Sequence, residues 1–157
     1  MKKKYKDLPL RNGVGIAVLN KKNQVFLAKR IDNPKNFWQM PQGGVDKGEN
    51  FYEAAIRELK EETSIISISL IKEIDGLITY ILPNNLVGII WKGKYKGQKQ
   101  KWFIVRFDGE EKEINIKTKK PEFLDWKWVN IKNLTDEVVE FKLHVYKKIQ
   151  KELYKII

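Results

Sequence analysis

Residues 43–65 read GGVDKGENFYEAAIRELKEETSI, a Gly-Gly turn running into a short helix that carries Glu58, Glu61 and Glu62 beside Arg57. The helix start is written into the segment: Asn50 can cap the first turn while Glu53, three residues on, reaches back in a capping-box arrangement. At about 100° per residue, Tyr52, Ala55, Ile56 and Leu59 form one apolar stripe, and Glu58, Glu61 and Glu62 fall on a neighbouring one. The helix is therefore expected to pack by one side and present oxygens on another. Like charges one helical turn apart cost a few tenths of a kcal/mol per pair, so this carboxylate cluster calls for a counter-charge. A divalent cation is the natural candidate. With no His or Cys nearby in sequence, the oxygen donors select a hard ion, Mg²⁺ first and Mn²⁺ next, rather than zinc.

Outward from this segment, residues 13–19 alternate small and apolar side chains, and residues 24–30 do so again across a polar turn, which predicts a hairpin. A brief apolar run at 37–40 ends at Pro41. Residues 65–82, rich in isoleucine, read as strand with a break near Asp75 and Gly76. Residues 101–107 (KWFIVRF) read as a further strand, and 125–129 as a short one with Trp126 and Trp128 on one face. From 139 to 154, Phe141, Val145, Ile149 and Leu153 recur at every fourth position, the stripe of an amphipathic closing helix. Strands on both sides of a helix, then more strands and a terminal helix, predict an α/β fold with a mixed sheet and helices packed on both faces.

A chain of 157 residues suits one domain spanning 1–157, with residues 1–8 expected as a flexible basic N-terminus. Cysteine is absent, which excludes disulfide and thiol chemistry and fits a reducing compartment. The basic start MKKKYKDLPL is not followed by an apolar signal core, and no apolar run approaches the roughly 18 residues of a membrane span. A cytoplasmic location without a membrane partner is expected. The formal charge of +11 suits an anionic partner such as a nucleotide or RNA. Lys outnumbers Arg 27 to 4, so part of that charge reflects a general residue bias. The same bias makes Arg11, Arg30, Arg57 and Arg106 more informative, because a planar guanidinium fork suits carboxylate or phosphate in a way Lys cannot imitate.

The 43–65 segment resembles the Nudix box, G-x5-E-x7-R-E-U-x-E-E-x-G-U with U apolar, at Gly43, Glu49, Arg57, Glu58, Leu59, Glu61, Glu62 and Ile65. Only Ser64, where the pattern has Gly, departs. The resemblance implies a Nudix α/β/α sandwich around a mixed sheet and the hydrolysis of a nucleoside diphosphate linked to another group. It implies Glu58, Glu61 and Glu62 as metal ligands and catalytic carboxylates, with Glu61 or Glu62 assisting as base. Gly43, Gly44, Glu49 and Arg57 would then be structural support for the box. Ser64 falls where a helix commonly ends in the left-handed conformation that Gly adopts freely, a departure of about 1 kcal/mol that bears on stability rather than chemistry.

Five further stretches, 11–15 (RNGVG), 38–44 (WQMPQGG), 97–103 (GQKQKWF), 121–123 (PEF) with 126–128 (WKW), and 138–142 (VVEFK), resemble one branch of that family. They match the bacterial RNA pyrophosphohydrolases and the related dinucleoside polyphosphate hydrolases in order and spacing over nearly the whole chain. That resemblance implies conversion of 5′-triphosphate or 5′-diphosphate RNA ends to monophosphate, promoting mRNA decay, with diadenosine polyphosphates or other nucleotides as the alternative substrate. A monomeric or weakly associating protein is expected. Glu122 becomes a fourth metal carboxylate, Arg11 and Arg30 face substrate phosphates, and Gln98 and Lys101 border the substrate cleft. Phe141 stacks a base and Lys142 meets phosphate. Trp102, Trp126 and Trp128 are expected in the core, Trp38 beneath the Gly43-Gly44 turn, and His144 toward solvent.

Overall fold

The computed structural model describes residues 2–32 and 36–157, so residue 1 of the basic N-terminal segment lies outside the described residues. Among those described, the elements follow in the order β1 (Leu10–Leu19), β2 (Gln24–Arg30), β3 (Trp38–Gln39), β4 (Gln42–Gly44), α1 (Phe51–Thr63), β5 (Ile68–Glu73), β6 (Ile78–Ile81), β7 (Gly97–Phe107), β8 (Phe123–Asn130) and α2 (Leu143–Tyr154). β1 and β7 run parallel at the centre, with Leu10 opposite Gly97 and Leu19 opposite Arg106. Antiparallel strands extend the sheet on both sides. β2 and β4 pair with β1, β3 and β8 pair with β2, and β5 and β6 pair with successive halves of β7.

Period-two alternation sorts the sheet into two apolar faces. Val14, Ile16 and Val18 of β1, Phe26 and Ala28 of β2, and Phe103, Val105 and Phe107 of β7 pack with Ala54, Ala55 and Leu59 of α1. The intervening Ala17, Leu19, Val25, Leu27, Trp102 and Ile104 pack with Val145, Tyr146, Ile149 and Leu153 of α2. This is the α/β/α sandwich expected from the element order. Fully burying one such large side chain contributes about 1.5–3 kcal/mol, far more than intrinsic helix propensity, so the two layers hold helices of 13 and 12 residues that would be marginal alone. Trp126 and Trp128 share the α1 face, the first stacked on Phe26 with ring centres 5.7 Å apart and the second edge-on to it at 5.8 Å.

Several boundaries differ from the sequence expectations, each for a tertiary reason. β1 and β7 begin earlier than 13 and 101 because their parallel pairing carries polar residues into the sheet from Leu10 and Gly97 onward. The break expected near Asp75 and Gly76 is present, with Gly76 at a positive φ of 76°, and the strands on its two sides are shorter than 65–82, at Ile68–Glu73 and Ile78–Ile81. Ile56 is exposed rather than part of the packed stripe. The buried arc of α1 centres instead on Ala55 and Glu62 and takes in Ala54, Leu59 and Thr63, which leaves Ile56 just beyond its edge. Phe141 is not in the last helix: Glu140–Lys142 is a 3-10 turn, and its ring lies 5.7 Å from that of Tyr80. Trp38 sits at the edge formed by β3 and β2, with the Lys127 ammonium 4.2 Å from its ring centre. Lys3–Tyr5 forms a 3-10 turn, and Tyr5 and Leu8 pack against the α2-side core.

Candidate functional site

The site is assembled at the start of α1 and along its sheet-facing side. Asn50 caps the helix by accepting the Glu53 N–H at 2.8 Å, and the Glu53 carboxylate answers the Asn50 side-chain amide rather than its backbone. Arg57 then ties helix to loop. Its Nε and Nη2 donate to the two oxygens of Glu49 at 2.7 and 2.9 Å, Nη2 also donates to the Gly44 carbonyl at 2.9 Å, and Nη1 reaches Glu58 at 2.9 Å and Glu61 at 3.2 Å. The Asp46 N–H closes the loop on Glu49 at 2.8 Å. Bidentate charge-assisted bonds of this kind are strong and directional. They hold the Glu49 carboxyl below its usual range and the Arg57 guanidinium above its own, each chiefly through the bond to the other. Gly43 and Gly44 are there for room. A Cβ at 43 would stand 2.1 Å from the Glu58 carboxyl carbon, and one at 44 would stand 2.3 Å from Arg11 Nη2.

The carboxylates of α1 divide. Glu61 points outward to Arg57, its side chain 59% exposed, while Glu62 is 4% exposed at the centre of the packed face. Burial first, and then the charges of Glu122 and Glu58, push the Glu62 carboxyl well above the usual carboxylate range. Glu58 is raised too, mainly by burial, with Arg57 opposing and Glu61 and Glu122 adding to the rise. Glu62 Oε2 is covered and has no hydrogen-bond partner. Like charges that face one another around an unanswered buried oxygen fit a divalent cation, and the donor set is all oxygen. Among the described residues no three acidic, His or Cys side chains already close around one point. An open set of this kind suits an ion that keeps waters and takes ligands from its substrate.

Around the carboxylates stand the predicted cations. Arg30 donates through Nε and Nη2 to both oxygens of Asp32, each at 2.8 Å, and that bond, with burial opposing and Glu122 and Glu62 adding, holds its guanidinium above its usual range. Arg11 lies against Gly44 with its guanidinium carbon 5.2 Å from the centre of the Trp91 ring. Lys142 is buried, its ammonium 5.3 Å from the Tyr80 ring centre and 5.8 Å from that of Phe141. Burial, then the Arg30 charge, pushes Lys142 down to about 7. Phe141, Tyr80, Lys142 and Arg30 thus form one aromatic and cationic wall.

Gln98 and Lys101, expected to border the cleft, make their contacts away from the α1 carboxylates. Gln98 is fully buried beneath the 43–44 turn, where its amide donates to the Gly43 carbonyl at 3.2 Å and its carbonyl accepts the Tyr80 hydroxyl at 2.8 Å. The Lys101 ammonium turns to the bend between β5 and β6, 3.4 Å from the Gly76 carbonyl and 3.8 Å from Glu73. His144 is exposed and meets the Thr79 carbonyl. Sequence reasoning missed Asp32, which holds Arg30, and Gln42, Tyr80 and Gln100, which join Gln98 in one polar chain under the box turn. Alternating glutamines at 98 and 100 in a strand buried on both faces were the available signal.

The NUDIX domain family matches residues 9–149. The chain is 68% identical over 151 residues to a protein of Pelagibacter ubique named RNA pyrophosphohydrolase, with 96% of each chain covered. It is 46% identical over 157 residues to one of the same name from Afipia carboxidovorans, with 95% of each covered. Among solved structures it resembles the E. coli dihydroneopterin triphosphate pyrophosphohydrolase at a TM-score of 0.72 and 20% identity, over 92% of this chain and 99% of that one. It also resembles a C. elegans Ap4A hydrolase binary complex at a TM-score of 0.64 and 19% identity, over 91% and 98%. At such identities the two structures speak for the fold alone.

Proposed function

The chain belongs to the NUDIX domain family and is a hydrolase of phosphoanhydride bonds, and from that premise we propose that it converts 5′-triphosphate or 5′-diphosphate RNA ends to 5′-monophosphate. In the balanced reaction, water adds to a 5′ phosphate, the phosphoanhydride P–O bond breaks, and pyrophosphate or phosphate departs. The proton of the attacking water passes to a carboxylate of the set Glu58, Glu61 and Glu62. One observation carries the reading: the buried Glu62 carboxylate, facing Glu58 and Glu122 with an unanswered oxygen, is costly to maintain unless a cation relieves it. Divalent cations serve this family's chemistry, and Mg²⁺, with Mn²⁺ as its substitute, suits Glu58, Glu61, Glu62 and Glu122. Bound there, such an ion supplies polarisation of a phosphoryl oxygen and acidification of an adjacent water.

The protein's own groups do the rest. Arg57 and Glu49 fix the pitch of α1 against the 43–44 turn, so that Glu58 and Glu62 share one side of the cleft. Arg11, Arg30 and Lys142 supply charge for the phosphate chain. Lys142 is pushed down to about 7 in the free protein, so an arriving polyphosphate favours its protonated form and draws a full charge into the wall. The Phe141 ring, beside Tyr80, offers an apolar face on which a base can stack without regard to sequence. RNA as the substrate is supported by the likeness to the Pelagibacter and Afipia proteins, and a cytoplasmic activity goes with that reading. The test is a panel of 5′-triphosphate RNA, diadenosine tetraphosphate and free nucleoside triphosphates with Mg²⁺ or Mn²⁺. RNA should be consumed fastest; faster turnover of diadenosine tetraphosphate would replace this substrate with the alternative.

A further inference from the structure

Apart from Arg30 and Lys142, the carboxylate cleft is lined by further cations that the chemistry does not use. Lys60 of α1 and Lys119 and Lys120 of the loop before β8 line the same open cleft of about 760 Å³ as Glu61, Glu62 and Glu122. All three lysines are exposed, and among the described residues none lies within salt-bridge distance of a carboxylate. Other lysines of this lysine-rich surface do find partners, as Lys72 does with Glu152 and Lys127 with Glu137. Among the described residues most lysines are likewise without an ion pair, so it is the position of these three, lining one cleft with Glu61, Glu62 and Glu122, that sets them apart.

The loop that carries them is fastened at both ends. The Asn115 N–H donates to the Thr63 carbonyl at 2.9 Å, and Ser64 Oγ donates to the Asn115 carbonyl at 2.9 Å, so the loop leaves directly from the end of α1. Lys117 N–H donates to Asn115 Oδ1 at 2.9 Å, and at the far end the Glu122 carbonyl accepts the Ile31 N–H at 2.9 Å. Between these anchors Lys119 and Lys120 line the same cleft as Lys60. Thr118 Oγ1, between them and Asn115, is covered and has no partner. An ammonium is a compact charge on a flexible stem, suited to phosphate contacts that carry no sequence information.

We propose that Lys60, Lys119 and Lys120 form a track for the phosphodiester backbone of RNA beyond its 5′-terminal nucleotide. The proposal rests on the RNA reading above and adds to it the means by which a long transcript is held in preference to a small nucleotide. The track acts on substrate length and leaves the reacting phosphates to the carboxylates and the wall of Arg30 and Lys142.

The test compares a 5′-triphosphorylated dinucleotide with a triphosphorylated RNA of about twelve nucleotides, long enough to span a typical single-strand site, over a range of salt. In the Lys119→Ala/Lys120→Ala variant, kcat/KM on the longer RNA should fall roughly fivefold to tenfold at low salt. The slope of its logarithm against log salt should shrink by about 1.4, since each single-strand phosphate contact contributes about 0.7. Activity on the dinucleotide should stay at the wild-type level, which also reports an intact fold. Lys60→Ala should reproduce half the effect. An unchanged slope and rate on the longer RNA would overturn the track, and an equal loss on both lengths would assign the lysines to the terminal phosphates instead. A wild-type enzyme that turns over diadenosine tetraphosphate but neither RNA would remove the RNA reading itself and the track with it.

Discussion

Arg57 and Glu62 lie on one helix and sit in opposite electrostatic conditions. Arg57 is answered on every side, by both oxygens of Glu49, the Gly44 carbonyl, Glu58 and Glu61. Glu62 is buried with one oxygen unanswered, and burial and the charges of Glu122 and Glu58 push its carboxyl up; Glu58, one turn away, is raised chiefly by burial although Arg57 pairs with it. The brace is complete in the protein alone; the carboxylate centre is not. A support residue is thus recognised by satisfaction and a working residue by its lack, even where the two share one helix and one sequence motif.

The largest expected effect breaks the unsatisfied half. Glu62→Gln keeps the shape of the side chain and removes its charge, and turnover with Mg²⁺ should fall roughly a hundredfold or more, the scale of a lost acid-base or ligand group. A near-normal rate at saturating Mg²⁺ would mean that Glu62 is not part of the centre. The satisfied half should break differently. Arg57→Ala strips the partners from Glu49 and frees the turn, so melting temperature should drop by about 5 °C or more as several charge-assisted bonds are lost. Thermal melts with metal absent would show it, and an unchanged melt would contradict the role of the brace.

A third effect separates the two by pH. Carboxyls raised in the folded state contribute stability that is present below their unfolded value of about 4.3 and is lost as pH rises through the folded value. Metal-free protein should therefore lose stability as pH rises through the window above the unfolded carboxylate value, on account of Glu58 and Glu62. Glu49 and Asp32, held low by Arg57 and Arg30, act in the opposite sense, and their contribution is lost as pH falls below that window. Melting temperature against pH in a chelator checks this, and a flat profile that Glu62→Gln leaves unaltered would count against it. The smallest effect is at the helix end. Ser64 takes φ 68° there, a strain that Gly would relieve by about 1 kcal/mol, but its hydroxyl also donates to the Asn115 carbonyl at 2.9 Å, worth about as much. Ser64→Gly should leave turnover intact and preserve or slightly raise the melting temperature; a large loss of turnover would overturn this view of the position.

The parts legible in the sequence were those set by local chemistry. Asn50 caps α1 as its side chain allows, and the alternating residues of β1, β2 and β7 face the two helices as their period requires. What the sequence hid was set by partners far along the chain. Glu62 falls on the buried side of α1 because Glu58 must meet the 43–44 turn, and helical periodicity alone could not say which side the sheet would cover. Gln98 is under the cleft because Tyr80 and the Gly43 carbonyl claim its amide, and Lys101 is drawn off by Glu73 and Gly76. Phe141 left the helix for a 3-10 turn beside Tyr80, a contact that fourfold periodicity does not encode.

The most direct test of this contrast is the melting temperature of the wild type and Glu62→Gln at pH 8, each with a chelator and with saturating Mg²⁺ or Mn²⁺. The wild type should gain several degrees from the metal, and the variant should melt at or above the wild type in the chelator and gain little from the metal. A variant that melts below the metal-free wild type, yet responds to metal as the wild type does, would contradict an unsatisfied carboxylate centre built for a cation.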